Sequence, residues 1–444
     1  MFEVINNSVI KYIMKYNLYK LILVCFLITG LILSKTDARQ IQTSSLVNTS
    51  HLDHLFQDIN VNGKEMGIIH IYADYPDYHY VEASGEGIAC VDDAARALVF
   101  YIRYYEVTKD KSLLNKIRGL TNFLIYMQAD NGFFYNFIWK DYTRDTTYKT
   151  SVAEPNWWSW RAIWALAEAR KFYKERDKEV FSQIKPSLDK GINSTISWLN
   201  KNNSDSTSSY GGFNLPAWLP WETAADQAAI IAKGLSVYYE LNKKLSIKKE
   251  IEHLCDGIMQ MQAGDKDNFP YYAFLSWQNT WHMWGNSQSD ALIYAGKLLN
   301  KREYINSALK EIKNFYPFLI NNDYINYFSI EKRSGQIVIK DSSKFTQIAY
   351  GIRPVVMACL GSGDLASAKL AGEAAEWLLG KNILGKAVYN PENGICFDGI
   401  DNVNEINKNS GAESTIESLL TLLAVEQNPI AKKTLLDFYS SHKN

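Results

Sequence analysis

The sequence has 444 residues, of which 47% are hydrophobic, and its formal net charge is -1. This apolar content is enough for a large core, and the near-zero charge excludes the electrostatic footprint of a nucleic-acid-binding protein. Aromatic residues are abundant, with 12 Trp and 28 Tyr. Most should fill the core, but those that cluster in loops beside carboxylates are suited to pack against the C–H faces of sugar rings.

The first residues are typical of an export signal. Lys15 and Lys20 form a basic region, and residues 21–33 form an apolar region that is short for a membrane span. We therefore expect a signal peptide over residues 1–38, with Met14 as an alternative start. The expected location is periplasmic or extracellular, or membrane-tethered through an uncleaved signal segment.

Residues 39–64 are polar and lack clear periodicity, which predicts a linker or lead-in before one domain over residues 65–444. The cysteines after the signal are widely spaced and, like the histidines, show no metal-ligand pattern. We interpret them as buried free thiols, with one disulfide as the alternative: Cys90, Cys255, Cys359 and Cys396. No metal or other cofactor is expected.

Twelve amphipathic helices are predicted from apolar residues at helical spacing. They cover residues 92–106, 111–128, 157–174, 179–200, 223–241, 247–262, 286–299, 303–320, 344–360, 364–380, 412–426 and 429–440. The link within each successive pair is short, which makes an antiparallel hairpin. The link between pairs is long, and the pairs repeat every ~60–70 residues, which is typical of one repeating supersecondary unit.

Six hairpins with all long loops at one end predict an all-α fold, an (α/α)6 toroid with aromatic-rich loops on one face. The first helix of each pair would form the inner ring, and the second would form the outer ring. In a closed ring the first and last inner helices are neighbours. Asp92 and Asp93 would therefore meet Glu413 at one rim.

Three carboxylates at these helix starts are the catalytic candidates. Hydrolysis of a glycosidic bond takes one carboxyl group to protonate the leaving oxygen and one carboxylate to activate water or attack carbon. Asp92 and Asp93 could instead cap their helix and favour its dipole. Glu413 fits a capping box with Ser410, so capping is its alternative role. Arg96 lies one turn after the Asp pair, where it would orient a carboxylate or pair with one, and we count it among the substrate-binding candidates.

Candidate substrate-binding residues lie on the same face. Trp157 and Trp158 open the third helix, and Trp221, Trp281 and Trp284 lie in later loops, where indole rings can form sugar platforms.

Three further residues are candidates for sugar contacts. His282 is expected to donate a hydrogen bond to a hydroxyl group rather than act as a base. Tyr350 and Arg353 fall at inner-face spacing on the ninth helix. Arg353 would either bind the carboxylate of an acidic sugar or form a buried ion pair. The absence of a Gly-rich phosphate loop, a zinc-binding His pair and a nucleophile elbow argues against a kinase, a zinc hydrolase and an esterase.

Three stretches carry a family resemblance. Gly-Ile-Ala-Cys-Val-Asp-Asp-Ala-Ala-Arg at 87–96, Asp-Asn-Gly-Phe-Phe-Tyr-Asn-Phe at 130–137 and Asn-Ser-Gly-Ala-Glu-Ser-Thr at 409–415 resemble a bacterial glycosidase-like family of the six-hairpin glycosidase superfamily. The order of parts, with Leu-Gly-Lys-Asn at 379–382, is distantly similar to family 9 glycoside hydrolases. The two Asp residues here are adjacent, whereas that family has an Asp-Ala-Gly-Asp spacing.

This resemblance implies that Asp92 or Asp93 holds the attacking water, that Glu413 is the general acid, and that the mechanism is inverting. The expected function is an exported glycoside hydrolase acting on an oligo- or polysaccharide. One alternative is a polysaccharide lyase on the same fold, with Tyr350, His282 and Arg353 as its base and neutralising groups. Another is a carbohydrate-binding accessory protein without chemistry.

Overall fold

The computed structural model describes residues 45–201 and 206–442. The predicted signal peptide lies outside these residues. The described part contains thirteen α-helices: α1 Ser50–Leu55, α2 Val91–Thr108, α3 Leu113–Tyr126, α4 Trp157–Tyr173, α5 Lys178–Lys201, α6 Ala225–Asn242, α7 Leu245–Gln260, α8 Gln288–Leu299, α9 Arg302–Asn321, α10 Ala349–Ser362, α11 Leu365–Ala375, α12 Ala412–Glu426 and α13 Pro429–Ser441. Helices α2 to α13 are the twelve predicted ones, so the predicted helix order is confirmed.

The helices form two concentric rings. Successive inner helices α2, α4, α6, α8, α10 and α12 contact one another, and α12 returns to contact α2, which closes the ring. Inner helices are buried nearly all round, as α4 is with 14 of its 17 residues buried. Outer helices bury one face against them, and α9 buries 8 of its 20 residues. The predicted (α/α)6 toroid is confirmed.

Tight turns join each inner helix to its outer partner. Four inner helices end on a residue in the left-handed conformation: Lys109 after α2, Lys243 after α6, Asn300 after α8 and Gly363 after α10. Such a residue satisfies the last helical carbonyls and reverses the chain. The long loops therefore all leave from the opposite end of the ring, where the inner helices begin.

Small antiparallel sheets build up the long loops. Their strands are β1 Phe56–Val61, β2 Lys64–Ile69, β3 Tyr72–Asp74, β4 His79–Val81, β5 Ala89–Cys90, β6 Phe137–Ile138, β7 Thr207–Tyr210, β8 Phe213–Pro216, β9 Thr280–His282, β10 Tyr327–Arg333, β11 Gln336–Ser343, β12 Gly399–Asn402 and β13 Glu405–Asn407. Each consecutive pair forms a two-stranded sheet, except that β9, β10 and β11 form one three-stranded sheet in the order β11-β10-β9.

The predicted linker at 39–64 needs correction. The compact unit begins at Val47, and its first residues form α1 and the β1–β2 hairpin. Asn62 and Gly63 both have positive φ angles, of 52° and 81°, which is the backbone of a two-residue hairpin turn. The Asn-Gly pair was the sequence signal for this hairpin. The sequence prediction missed the hairpin because only one side of β1 and β2 packs inward, and the residues on the other side are polar.

Two smaller observations complete the fold. All four cysteines in the described residues are buried and free, which agrees with the interpretation as buried thiols. None of the helices in the described ranges is both long enough and apolar enough to cross a bilayer.

Candidate active site

The start of α2 separates its two aspartates. Strand β5 pairs with β6 and delivers Cys90 as the N-cap residue of α2. The Cys90 thiol accepts a hydrogen bond from the Asp93 backbone N–H and donates one to Asp93 Oδ2 at 3.1 Å. This cap turns Asp93 inward, where it is buried, and leaves Asp92 partly exposed at the rim.

Arg96 joins the two ends of the chain. Its Nη2 lies 3.2 Å from Asp92 Oδ2 and 2.7 Å from Glu413 Oε2, and its Nη1 lies 2.8 Å from Asp93 Oδ1. Its Nε lies 3.2 Å from Glu417 Oε1. One buried guanidinium therefore holds four carboxyl groups, two from α2 and two from α12. The predicted meeting of the first and last inner helices is confirmed.

Glu413 does not cap its helix. The N-cap residue of α12 is Gly411, which makes no side-chain cap. Asp398 takes over this role, because its Oδ1 accepts hydrogen bonds from the Gly411 N–H and the Ser414 hydroxyl, both at 2.8 Å. The Glu413 side chain is consequently free to face the pocket, where it is 40% exposed.

Arg161 completes the cluster, and sequence reasoning missed it. Its Nη1 lies 2.5 Å from both carboxyl oxygens of Asp92, and its Nη2 donates to the Tyr350 hydroxyl at 2.7 Å. The guanidinium also lies over the Trp157 ring, 5.2 Å from its centre. Like Arg96, Arg161 lies in the second turn of an inner helix, and a buried arginine there requires a carboxylate partner. An arginine in the second turn of a predicted inner helix was therefore the sequence signal for this site residue.

The two aspartates differ in charge. Burial opposes ionisation of Asp92, but Arg161 and Arg96 outweigh it and hold the pKa of Asp92 below its usual value. Burial raises the pKa of Asp93 to about 7, and repulsion from Asp92 and Glu413 adds to this effect against the attraction of Arg96. Asp92 is therefore an ionised carboxylate at neutral pH, whereas Asp93 exchanges its proton near pH 7.

A pocket of about 460 Å³ opens over the cluster. It is lined by Asp92, Arg96, Asn136, Thr150, Trp157, Trp158, Arg161, Trp284, Ile348, Tyr350 and Glu413. Seven of the predicted catalytic or substrate-binding side chains therefore line one pocket: Asp92, Arg96, Trp157, Trp158, Trp284, Tyr350 and Glu413. Asp93 is absent from this lining, because it is buried and paired with Arg96, so of the two predicted aspartates the structure brings only Asp92 to the pocket.

Two predicted substrate contacts are wrong. Trp281 is fully buried, because pairing of β9 with β10 turns its ring into the core against Phe315 and Phe328. Arg353 is buried and its Nε bonds to Glu417 Oε2, so the alternative reading of a buried ion pair is right. Neither side chain lines the pocket.

A second pocket of about 460 Å³ adjoins the first. It is lined by Asn156, Trp157, Trp221, Ala224, Asp226, Gln227, Trp277, His282 and Trp284. Trp277 begins the same aromatic stretch that contains the predicted contacts His282 and Trp284.

His282 has a different role from the predicted one. Its Nε2 lies 3.0 Å from Asp226 Oδ2, and its Nδ1 is buried without a partner. Gly285 packs so closely on the ring that an added Cβ would lie 2.1 Å from Cε1. The predicted hydrogen bond to a sugar hydroxyl is therefore corrected, because Asp226 occupies Nε2 and Nδ1 is buried away from the pocket. The ring instead stacks under Trp284, with centres 4.3 Å apart.

The stability of the protein should depend on pH through two buried acids. Besides Asp93, burial raises the pKa of Glu311 to about 7; its oxygens accept from the Phe274 N–H and the Ser289 hydroxyl. Both groups keep protons that the unfolded chain releases at about pH 4. Their contribution to the free energy of unfolding should thus fall between about pH 4 and 7 and level off above.

Asp93→Asn should reduce this slope, and urea unfolding across the pH range measures it. Glu311→Gln should remove the second contribution, and the exposed change Asp130→Asn should leave the slope unchanged. An Asp93→Asn slope equal to that of the wild type would contradict the raised pKa of Asp93.

Comparisons with known proteins identify the fold. Neither a protein-family model nor a curated protein matches the sequence. Among solved structures, a sugar epimerase from a ruminal bacterium has a TM-score of 0.57 at 12% identity, over 89% of this chain and 99% of that one. A cellobiose 2-epimerase from Bacillus thermoamylovorans has 0.56 at 12%, over 85% and 95%.

A third similar structure is an inactive variant of an alpha-1,6-mannanase from Salegentibacter, in complex with alpha-1,6-mannotetrose. Its TM-score is 0.50 at 12% identity, over 85% of this chain and 96% of that one. At such low identity these likenesses show the fold alone. They agree with the six-hairpin (α/α)6 toroid suspected from the sequence.

Proposed function

We propose that this protein is a glycoside hydrolase that cleaves glycosidic bonds in an oligo- or polysaccharide. The observation that carries the proposal is the meeting of Asp92 and Glu413, from opposite ends of the chain, in the wall of one aromatic pocket. Such a reaction needs two carboxyl groups with separate tasks. From the export-type N-terminal segment we also propose that the protein acts outside the cytoplasm, as an exported or tethered protein.

The environments of the two groups divide these tasks. Asp92 is held ionised by Arg161 and Arg96, which suits a base or nucleophile. Glu413 has one cationic partner, Arg96, and is the more exposed of the two, so it can rotate toward a leaving-group oxygen. We assign Glu413 as the general acid and Asp92 as the partner that activates water or attacks carbon.

The mannanase among the similar structures supports the use of an aspartate pair. That inactive variant carries alanine in place of two consecutive aspartates, and Asp92 and Asp93 are also consecutive here. In this chain the pair acts through different routes. Asp92 faces the pocket, and Asp93 holds Arg96, which in turn positions Asp92 and Glu413.

The distance between the two carboxyl groups bears on the stereochemical course. Asp92 Oδ2 and Glu413 Oε2 both bond to Arg96 Nη2, at 3.2 and 2.7 Å, so the two oxygens lie within about 6 Å of each other. Inverting enzymes separate their carboxyl groups by about 6.5–9.5 Å to leave room for water. The inversion implied by the sequence resemblance would therefore require Glu413 to rotate away from Arg96 when substrate binds.

The lyase alternative loses two of its three residues. Arg353 is paired with Glu417, and His282 lies in the second pocket with neither nitrogen available. Hydrolysis is therefore the chemistry that the cluster supports best.

Incubation of the wild-type protein with a panel of polysaccharides tests the proposal. We expect new reducing ends without the ultraviolet absorbance of an unsaturated product, because the cluster supplies a paired acid and base rather than a lyase base. Nuclear magnetic resonance of the fresh product reads its anomeric configuration. Unsaturated products, or epimers without cleavage, would contradict the proposal. Sugar binding without any product would favour an accessory protein.

A further inference from the structure

Two indole rings are common to the two pockets. Trp157 and Trp284 line both of them, so the carboxylate pocket and the second pocket lie side by side, and we refer to the two together as the cleft. Each has about 460 Å³, within the range of about 300–1,000 Å³ that is usual for small-molecule sites. The cleft therefore extends well beyond the atoms that Asp92 and Glu413 can reach.

Exposed indole rings pave the far end of this cleft. Trp221, Trp277 and Trp284 are 45%, 44% and 39% exposed, although tryptophan is highly buried on average. We call these three side chains the tryptophan arm. Large apolar groups that stay open to solvent in one concave place mark a binding surface.

Each ring of the tryptophan arm is braced from behind. The Trp277 indole N–H donates to the Trp221 carbonyl at 3.4 Å, and the Trp221 ring packs on Trp198 with centres 5.5 Å apart. Trp284 rests on His282, which Asp226 holds in turn. Fixed rings lose little conformational entropy when a ligand packs on them. The arrangement is therefore that of preformed platforms.

The charged side chains that line the cleft all have partners within the protein. Arg96 and Arg161 are engaged by carboxylates, Glu413 by Arg96, and Asp226 by His282. Among the described residues in the two linings there is no other cation. A uronate or sulfate group on the ligand would thus enter without a partner and would lose its hydration.

We infer that the cleft binds an uncharged oligosaccharide, with the sugars beyond the cleavage point stacked on the tryptophan arm. This inference rests on the proposed function and adds its substrate class: neutral glycans long enough to reach from Asp92 and Glu413 to Trp221. Because the arm supplies binding that a short substrate cannot use, cleavage efficiency should rise with chain length.

The first experiment measures binding, which does not depend on catalysis. Intrinsic tryptophan fluorescence and calorimetry would follow titration with cello-, manno- and xylo-oligosaccharides from disaccharide to hexasaccharide, and with oligogalacturonates of the same lengths. We expect one neutral series to bind with affinity that rises with length, and the oligogalacturonates to bind more weakly. Tighter binding of the oligogalacturonates, or no binding of any neutral series, would overturn the inference.

The second experiment removes the arm. Trp221→Ala together with Trp277→Ala should weaken binding of the longest neutral ligand by about tenfold or more, from the loss of buried apolar surface, and should weaken the disaccharide much less. Leu365→Ala, which removes an exposed apolar side chain from the outer helix α11, is the control and should bind like the wild type. An equal loss of affinity for oligosaccharides of every length would contradict the proposed role of the tryptophan arm.

These outcomes are separable from those of the hydrolysis assay. A protein that binds neutral oligosaccharides through the arm but releases no reducing ends would refute the hydrolase and keep the inference. A protein that hydrolyses a glycan with no effect of the Trp221 and Trp277 changes would keep the hydrolase and refute the inference.

Discussion

Replacement of Asp92 by Asn is expected to lower kcat/KM for glycoside cleavage by about 10² to 10⁴-fold. The amide keeps the shape of the carboxylate but supplies neither a base nor a nucleophile. Glu413→Gln should cause a loss of similar size, because the amide cannot donate the acidic proton to the leaving oxygen. Substrate affinity should change little in both variants, since stacking on the indole rings is retained.

Folding must be checked alongside this activity. Asp92→Asn leaves the Arg161 guanidinium without its carboxylate partner, so thermal unfolding should accompany the rate measurement. Glu413 is 40% exposed, which makes Glu413→Gln the milder change, and Asp130→Asn provides an exposed control. Activity close to wild type in both folded variants would refute the assignment of this carboxyl pair.

Replacement of Arg96 by Met is expected to destabilise the protein by about 3–5 kcal/mol, which is the usual cost of removing one partner from a buried ion pair. Arg96 is buried and is the cation that Asp92, Asp93, Glu413 and Glu417 share. Without it, Asp93 is left in the interior beside two like charges. The methionine side chain replaces the apolar stem but not the charge.

Urea unfolding at neutral pH measures this loss. Arg118→Met is the matched control, because Arg118 forms an exposed pair with Asp177, and such pairs contribute about 0–1 kcal/mol. The loss in Arg96→Met should shrink at acid pH, where Asp93 is protonated and needs no cation. A cost of Arg96→Met no larger than that of Arg118→Met would contradict the role of Arg96 as the centre of the cluster.

The fold followed from the sequence because its signals are repeated. Every hairpin has apolar residues at helical spacing, a short link between its two helices and a long link to the next hairpin. An error at one helix boundary therefore does not change the predicted fold. The predicted start at Trp157 agrees with α4, and the start at residue 412 agrees with α12. Ring closure then placed Asp92 beside Glu413 without any local signal.

The individual side chains were harder to place, because they depend on contacts between distant elements. Trp281 lies in β9, a three-residue strand whose alternation sends His282 and Trp281 to opposite sides. That strand exists only through its pairing with β10, which the sequence does not mark. Arg161 and Asp226 were similarly hidden, because each is defined by a partner on another hairpin.

Because the ring closes through α2 and α12, the carboxylate cluster can assemble only late in synthesis. During synthesis Glu413 leaves the ribosome about 320 residues after Asp92, which at ~10 residues per second is on the order of half a minute. Throughout that interval Arg96 lacks the carboxylates of the last inner helix. The cluster of Asp92, Arg96 and Glu413 is therefore complete only after the final hairpin has been synthesised.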